Sequence, residues 1–490
     1  MDEQELDKVL KEINKNKKWY QKISVEPTIF LYIFAFSLTS VIENVFYVYK
    51  SCTVNHNYSH EICMEIEKHD EIKTAVQATT AKFLQYDSIA GQIIPIILAL
   101  FIGSFADRRG RKLPLLLGLI GKLIYSSMII VNSLMPNWPV ENIIYTATIP
   151  GAITGGDIAI FASALAFLTD ITTEADRTVR ISILGGAYVG SIPVAVLTGT
   201  YLYNFYNKSF TKMFVTNAVL IVLSILYTVV KLDWQTTPKQ VSLTTIPKSQ
   251  WISDFFDKKH FKQTVRTVTK KRDNNYRLYI ILMMVSVALY AIQRSEQKYF
   301  FLFAQNKLSW TTEIYSYFRT FESASYVFGI LVAVPIFSKV FKWKDTVIVV
   351  IGACGSIIGR LFFAFVGTTA LMYVGASFAS VGPIILPALR SISSKLVPCD
   401  ERGIMFALIS ACDKLVPIIS GVLYSQTYLA TMKVYPAGIF WVTIVSQALV
   451  FVTIIFIHFN KRDTDVQGEF SQNNDAMIEN CVDKSEILEK

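Results

Sequence analysis

The chain has 490 residues, of which 52% are hydrophobic and 17% are charged, and its formal net charge is +9. A soluble globular chain carries about 25% charged residues. This balance excludes a disordered protein and a basic nucleic-acid-binding protein, and it argues against an ordinary cytosolic enzyme.

The apolar residues are grouped in twelve runs. A helix of about 20 apolar residues crosses a hydrocarbon layer ~30 Å thick, so each run is a predicted transmembrane span. In chain order the runs cover residues 27–49, 80–106, 113–134, 142–169, 181–203, 212–232, 278–304, 313–341, 345–366, 369–395, 403–429 and 435–459.

A long polar segment divides the runs into two sets of six. Similar charged junctions recur in both sets, so we expect an all-α membrane protein with twelve transmembrane helices in two six-helix pseudo-symmetric bundles. Six lysines between Lys8 and Lys22 precede the first run, which predicts a cytoplasmic N-terminus and, after twelve spans, a cytoplasmic C-terminus. The predicted parts are the cytoplasmic N-tail 1–26, the N-terminal bundle 27–232, the cytoplasmic central loop 233–277, the C-terminal bundle 278–459 and the cytoplasmic C-tail 460–490.

The central loop is predominantly basic. Around Trp251 and Phe255 its sequence is compatible with an amphipathic helix lying on the anionic inner leaflet. A solvated linker is an equally good interpretation, and the sequence leaves both open.

Two features are expected in the loops predicted to face outward. Cys52 and Cys63 lie in the polar stretch after the first run, so at most one disulfide is expected there, between these two residues. The two N-x-S/T sequons begin at Asn57 and Asn207. Both are in predicted external loops and are candidate glycosylation sites.

Residues 103–112, called here the signature loop, read GSFADRRGRK between the second and third runs. Gly103 predicts a close approach of neighbouring helices, and Gly110 predicts a tight turn. Asp107 can cap the exposed amides of a facing helix, and Arg111 can reach a carboxylate such as Asp170. The alternative is a basic cluster that only sets topology.

The signature loop resembles the loop between helices 2 and 3 of the major facilitator superfamily, in sequence and in position. The resemblance implies the twelve-helix fold and a gating latch that joins the two halves when the cytoplasmic side is shut. The residues assigned to this latch are Gly103, Asp107, Arg108, Gly110, Arg111, Asp170, Arg177, Glu401 and Arg402.

A narrower resemblance is to solute carrier family 46, which includes the proton-coupled folate transporter. This resemblance extends over most of the transmembrane chain, but each segment contributes only a few matching residues. The segments that carry it are 26–27, 156–157, 166–170, 177–180, 388–391, 401–403 and 432–436.

The chain departs from the folate transporter at functional positions. Gly185 stands where that protein has a glutamate, and Leu289 and Tyr290 stand where it has a histidine. Residues 305–312 lack the cysteine that bridges to its first external loop. Folate as substrate is therefore in doubt, as is that protein's proton route.

Ionisable groups inside a bilayer cost about 2.5–3.5 kcal/mol each, so they need partners or a wet cavity. Asp157 lies near the middle of the fourth run, and Arg390 could bind a substrate carboxylate or phosphate through two N–H groups. For every such charge the alternative is a structural ion pair. The candidate residues for substrate binding or coupling are Asp157, Arg390, Glu43, Arg294 and Lys433.

None of the five histidines lies in the middle of a run, so a proton-coupled cycle would have to use a carboxylate, with Asp157 the first candidate. We find no metal-ligand cluster, nucleophile motif or P-loop, and therefore expect no enzyme activity and no metal. The expected cofactor is none, with a proton as the candidate co-transported ion.

The sequence predicts a secondary transporter that moves an amphipathic organic anion, such as a folate-like compound or a peptidoglycan fragment, by alternating access. The alternative is a transport-inactive receptor that binds a small ligand on the same fold. The expected partners are a small organic solute and the lipid bilayer, without nucleic acid, and the expected state is a monomer. The sequence fits a multi-pass protein of the plasma membrane or of the endolysosomal membrane.

Overall fold

A computed structural model shows an all-helical chain wherever its residues are described, without a strand among them. The described residues are 23–172, 174–237, 240–242, 245, 247, 249, 251–256, 276–333, 336–341, 343–394 and 402–466.

Seventeen α-helices are numbered here in chain order. They are α1 (Glu26–Lys50), α2 (His60–Met64), α3 (Asp70–Arg109), α4 (Lys112–Leu134), α5 (Ile149–Ala152), α6 (Gly156–Ile171), α7 (Glu174–Phe205), α8 (Phe210–Lys231), α9 (Trp251–Phe255), α10 (Tyr276–Ile292), α11 (Glu296–Leu308), α12 (Thr312–Phe328), α13 (Asp345–Ala364), α14 (Thr369–Ala379), α15 (Ile385–Ser394), α16 (Arg402–Thr431) and α17 (Gly438–Val466).

Nine helices of the described chain are long and apolar enough to cross a membrane. They are Glu26–Asn55, Lys112–Leu134, Ile144–Ile171, Arg180–Phe205, Phe210–Lys231, Leu278–Leu308, Asp345–Ala364, Thr369–Ser393 and Gly438–Asn460. A tenth is added if Asp70–Ala99 and Phe101–Arg109, which meet at 47°, form one bent span. The remaining two predicted spans correspond to α12 and α16, which carry charged residues within their length.

Several spans are interrupted where the sequence allows it. The fourth predicted span consists of a π-helical turn (Ile144–Thr148), α5 and α6. α5 and α6 are separated at Gly155 and Gly156, whose φ angles are +88° and +47°. Only glycine adopts such angles without a steric cost, so these two residues set the point at which α6 begins.

The chain divides into two compact units. Unit 1 comprises Met1–Gln263, Lys298–Ala324 and Tyr428–Pro436, and unit 2 comprises Thr264–Gln297, Ser325–Thr427 and Ala437–Lys490. A core of unit 1 packs α1, α4 and α6 together, with Tyr32, Leu119 and Phe167 fully buried. The core of unit 2 packs α10, α13, α15 and α17.

Candidate functional site

Asp157 lies in the first turn of α6, directly after the glycine break. Its Oδ1 atom is 3.0 Å from Nζ of Lys122 on α4, and it also accepts a hydrogen bond from the hydroxyl of Tyr32 on α1. The Asp157 side chain is 46% exposed, whereas Tyr32 is buried. One carboxylate, open on one side, is thus held by three helices of unit 1.

The distance between Lys122 and Asp157 depends on small residues in α4. A Cβ atom added at Gly121 would lie 1.8 Å from Oγ1 of Thr154, and one added at Gly118 would lie 2.7 Å from Cγ1 of Ile160. Because neither residue has a side chain, α4 approaches the break between α5 and α6 closely. This approach brings Lys122 within reach of Asp157.

Two aromatic rings lie near the Lys122 ammonium. Nζ lies 5.3 Å from the centre of the Phe36 ring and 5.9 Å from that of Tyr32. A cation over an aromatic face within about 6 Å is stabilised by the ring's electron density. The site therefore combines a cation, a carboxylate and apolar surface.

Glu43 on α1 has a different environment. Its carboxylate accepts hydrogen bonds from Thr39 at 3.1 Å and from Tyr47 and Tyr125 at 3.5 Å each. The hydroxyls of Tyr47 and Tyr125 are themselves 2.8 Å apart. Within the described chain, Glu43 forms no ion pair. The hydrogen-bond partners that the structure describes for this half-buried carboxylate are all hydroxyl groups.

Asp87 on α3 is the third carboxylate of this region. It accepts a hydrogen bond from Thr148 at 2.6 Å, and Nζ of Lys298 lies 3.8 Å from its Oδ2. Lys298, which also belongs to unit 1, donates to the Ser88 hydroxyl at 2.6 Å. Asp87 therefore has a cation nearby, as Asp157 does.

Unit 2 contains two further charge pairs. Arg294 lies 2.9 Å from Asp413, and Arg360 lies 3.4 Å from Glu296. Glu296 also accepts a hydrogen bond from Thr443. The predicted binding residue Arg294 is therefore engaged by a carboxylate within its own unit.

The other two predicted binding cations are exposed. Arg390 on α15 and Lys433, in the turn between α16 and α17, form no ion pair with any residue of the described ranges. Arg390 thus keeps its guanidinium available to an anion, whereas Lys433 lies outside the spans. The roles of both residues stay predictions.

The signature loop places Arg111 between two carboxylates. Its guanidinium is paired with Asp107, one helical turn earlier, and its Nε lies 3.0 Å from Oδ2 of Asp170. The predicted contact from Arg111 to Asp170 is thus present in the structure. Asp107 is largely exposed and pairs with Arg111, so the capping of a facing helix that we predicted for it is not seen among the described residues.

The two glycines of the loop differ. Gly110 has a φ of +102°, and a Cβ atom there would lie 2.2 Å from the carbonyl oxygen of Trp234, so the predicted turn requires glycine. At Gly103 a Cβ atom would meet no described atom within 4 Å. The close helix approach predicted at Gly103 is therefore wrong for the described chain.

The beginning of the central loop packs on the signature loop. Arg109 donates two hydrogen bonds to the Asp254 carboxylate, at 3.0 and 2.9 Å, and Arg108 donates to the Asp254 backbone carbonyl at 2.5 Å. The Phe255 ring lies 5.2 Å from that of Phe105. The hydrogen bonds from Arg109 lower the pKa of Asp254 below its usual value. Part of the central loop is thus bound to unit 1.

Thr236 and Gln240 bind the same carboxylate as Arg111. Thr236 donates to Asp170 at 2.6 Å and Gln240 donates at 3.3 Å. Sequence reasoning missed both residues, and it missed Asp254, because isolated polar residues in a long loop carry no spacing signal. The side chains of Arg177, Glu401 and Arg402, which we assigned to the latch, lie outside the described residues.

The segment that follows α1 contains the predicted disulfide. Cys52 and Cys63 are bonded to each other. Asn57 and Asn207 are exposed, each in a turn with a positive φ angle. Their glycosylation stays a prediction.

Comparison with known families and proteins agrees with this geometry. Residues 81–421 match the Major Facilitator Superfamily. The lysosomal proton-coupled steroid conjugate and bile acid symporter SLC46A3 of Gallus gallus is 28% identical over 424 residues, which cover 83% of this chain and 88% of that protein. The probable peptidoglycan muropeptide transporter SLC46 of Drosophila melanogaster is 25% identical, covering 85% and 81%. The proton-coupled folate transporter of Bos taurus is 21% identical, covering 91% and 94%.

Solved structures show the same fold. A D-xylose-proton symporter superposes with a TM-score of 0.61 at 13% identity, covering 90% of this chain and 97% of that one. The human organic anion transporter MFSD10 superposes with a TM-score of 0.60 at 11% identity, covering 90% and 99%. At these identities the likeness concerns the fold alone.

Proposed function

The chain belongs to the Major Facilitator Superfamily, and on this premise we propose that it carries amphipathic organic anions across a membrane by alternating access. The chain is a multi-pass membrane protein and a transporter of small organic solutes, not an enzyme. The proposal concerns the class of solute, the coupling ion and the residues that act on them.

The observation that carries the proposal is the ion pair of the mostly buried Lys122 with the half-exposed Asp157. A charged carboxylate in a transmembrane helix is stable only beside a partner or a wet cavity. Asp157 has such a partner, because Lys122 lies 3.0 Å away, and 46% of its side chain is accessible. Such a pair, open on one side, supports a polar solute path through unit 1.

The solute class follows from the cations and aromatic rings that each unit contributes separately. An organic anion requires a cation, supplied by Lys122 or by the exposed Arg390, and its apolar part requires aromatic surface such as Phe36. The relatives named above are described as acting on steroid conjugates and bile acids, on muropeptides and on folate. These compounds share an acidic group on a larger organic frame, and we extend that chemistry to this chain.

Gating is assigned to the signature loop. Arg111 is paired with Asp107 and Asp170, which favours one arrangement of the ends of α3, α4 and α6. A transporter must break such contacts once in each cycle, whereas a fixed receptor has no need of them. We therefore favour transport over ligand binding alone, with the signature loop on the cytoplasmic side and the protein in the plasma or endolysosomal membrane.

Uptake into proteoliposomes tests the proposal. Purified full-length protein is reconstituted and offered radiolabelled taurocholate, estrone sulfate, muramyl dipeptide and folic acid, with and without an inward proton gradient. We expect saturable accumulation of at least one of these anions. Arg390→Ala is expected to weaken it, and Lys433→Ala, which removes an exposed cation outside the spans, is expected to weaken it less. Binding of a probe without accumulation would instead identify a receptor.

A further inference from the structure

The carboxylates inside the described spans differ in one respect, which is whether a cation accompanies them. Away from the span ends, five of these carboxylates have a Lys or Arg partner within ion-pair distance, and Glu43 is the exception. The five pairs are Lys298–Asp87, Lys122–Asp157, Arg360–Glu296, Arg319–Glu322 and Arg294–Asp413. Glu43 has hydroxyl partners alone.

The type of partner decides whether a carboxyl group can change its protonation state. The ammonium of Lys122 only donates hydrogen bonds, so protonation of Asp157 would leave an uncompensated cation in a poorly solvated place, which is costly. A hydroxyl both donates and accepts. The shell of Thr39, Tyr47 and Tyr125 can therefore donate to an ionised Glu43 and accept from a protonated one without rearrangement of the helices.

Two charged groups on neighbouring helices act on Glu43 in opposite directions. Lys122, on the same helix as Tyr125, attracts the ionised carboxylate, and Asp87 on α3 repels it. Lys122 is already paired with Asp157 on α6. Neither protonation state of Glu43 is therefore imposed by a dedicated partner.

We propose that Glu43 is the group that binds and releases the co-transported proton, and that Asp157 stays ionised beside Lys122. A proton passes from a hydronium ion on the open side to the Glu43 carboxylate, giving a neutral carboxyl group and water. It returns to water when the opposite side opens. This deepens the proposed transport function and rests on it for its role in the cycle. The proposal also replaces Asp157, the first candidate from the sequence, with Glu43 as the residue that binds the proton.

Infrared difference spectroscopy tests proton binding without any solute. Full-length protein in lipid nanodiscs is stepped through a range of pH, and the carbonyl band of protonated carboxyl groups is recorded. We expect wild type and Asp157→Asn to share a titrating band that Glu43→Gln lacks. Tyr125→Phe, which removes one hydroxyl partner, should move the midpoint pH of that band. A full band in Glu43→Gln, or loss of the same band in Asp157→Asn, would overturn the proposal.

Transport of the best probe from the panel gives the second readout. In proteoliposomes, Glu43→Gln should lose accumulation driven by a proton gradient and retain exchange of labelled for unlabelled solute. Gradient-driven accumulation equal to that of wild type would contradict the role assigned to Glu43. If wild-type protein takes up none of the probes, the transport proposal fails, whereas the infrared result still decides whether Glu43 binds the proton.

Discussion

The ammonium of Lys122 lies 3.0 Å from Oδ1 of Asp157, so each group neutralises the other between α4 and α6. The pair is fixed by three glycines, Gly118 and Gly121 on one side and Gly155 on the other. The two residues therefore act as a single electrostatic unit. The effect of substitution on stability should depend on whether one partner or both are changed.

Asp157→Asn and Lys122→Met should each lower the thermal stability of the purified protein, by about 1–3 kcal/mol in free energy, because each leaves one charge unpaired. The double variant should recover part of this loss. Thermal unfolding in detergent, measured for all four proteins of the cycle, gives the coupling energy. Additive losses in the double variant would show that the pair does not act as a unit.

Gly110→Ala should destabilise the protein and slow transport. The alanine would have to adopt a φ of +102° and place its Cβ atom 2.2 Å from the carbonyl oxygen of Trp234. The conformational part alone costs about 1–3 kcal/mol, because this combination of φ and ψ is essentially restricted to glycine. Gly103→Ala is the matched control, because its Cβ would meet no described atom within 4 Å. Equal melting temperatures and uptake rates for the two variants would contradict the assignment.

Arg111→Ala should lower the maximal transport rate more than the affinity for solute. Arg111 is paired with Asp107 and Asp170 at the signature loop, and we assign it to gating, not to solute binding. Asp107→Asn should have a smaller effect in the same direction, because Asp107 is mostly exposed and exposed ion pairs contribute about 0–1 kcal/mol. Initial rates over a range of solute concentrations measure both quantities. A change confined to KM would argue against gating.

The contact of the central loop with Arg109 should persist at mildly acidic pH. The folded-state pKa of Asp254 is lowered, so this carboxylate stabilises the contact above its unfolded-state pKa of about 3.9. The stabilisation is lost only as pH falls through the still lower folded-state value. Hydrogen exchange of Trp251–Phe255 should therefore remain slow at endolysosomal pH in wild type. Asp254→Asn should exchange faster already at neutral pH, and identical exchange in the two proteins would refute the contribution.

The sequence was sufficient to predict nine spans that the described chain contains and one contact of the signature loop. Span positions depend on the length of apolar runs, which is a local property, and the pairing of Arg111 with Asp170 joins the ends of two predicted spans. The division into two pseudo-symmetric bundles stays a prediction.

The partners of the intramembrane charges could not be predicted. Lys122 is a cation within the third predicted run, but its pairing with Asp157 depends on the rotation of α4 and on the left-handed residues Gly155 and Gly156. The contact of Asp254 is still harder to predict, because the loop sequence does not show which helix end this residue contacts.

Arg109 and Asp254 are separated by 145 residues, and this spacing imposes an order on biosynthesis. A chain is made from its N-terminus, so the first six predicted spans are complete before the carboxylate that binds Arg109 has been synthesised. Trp234, whose carbonyl lies against Gly110, also follows those spans. A nascent chain that has just finished α8 therefore carries a signature loop without these two contacts. The two contacts can both be present only after synthesis has passed residue 254.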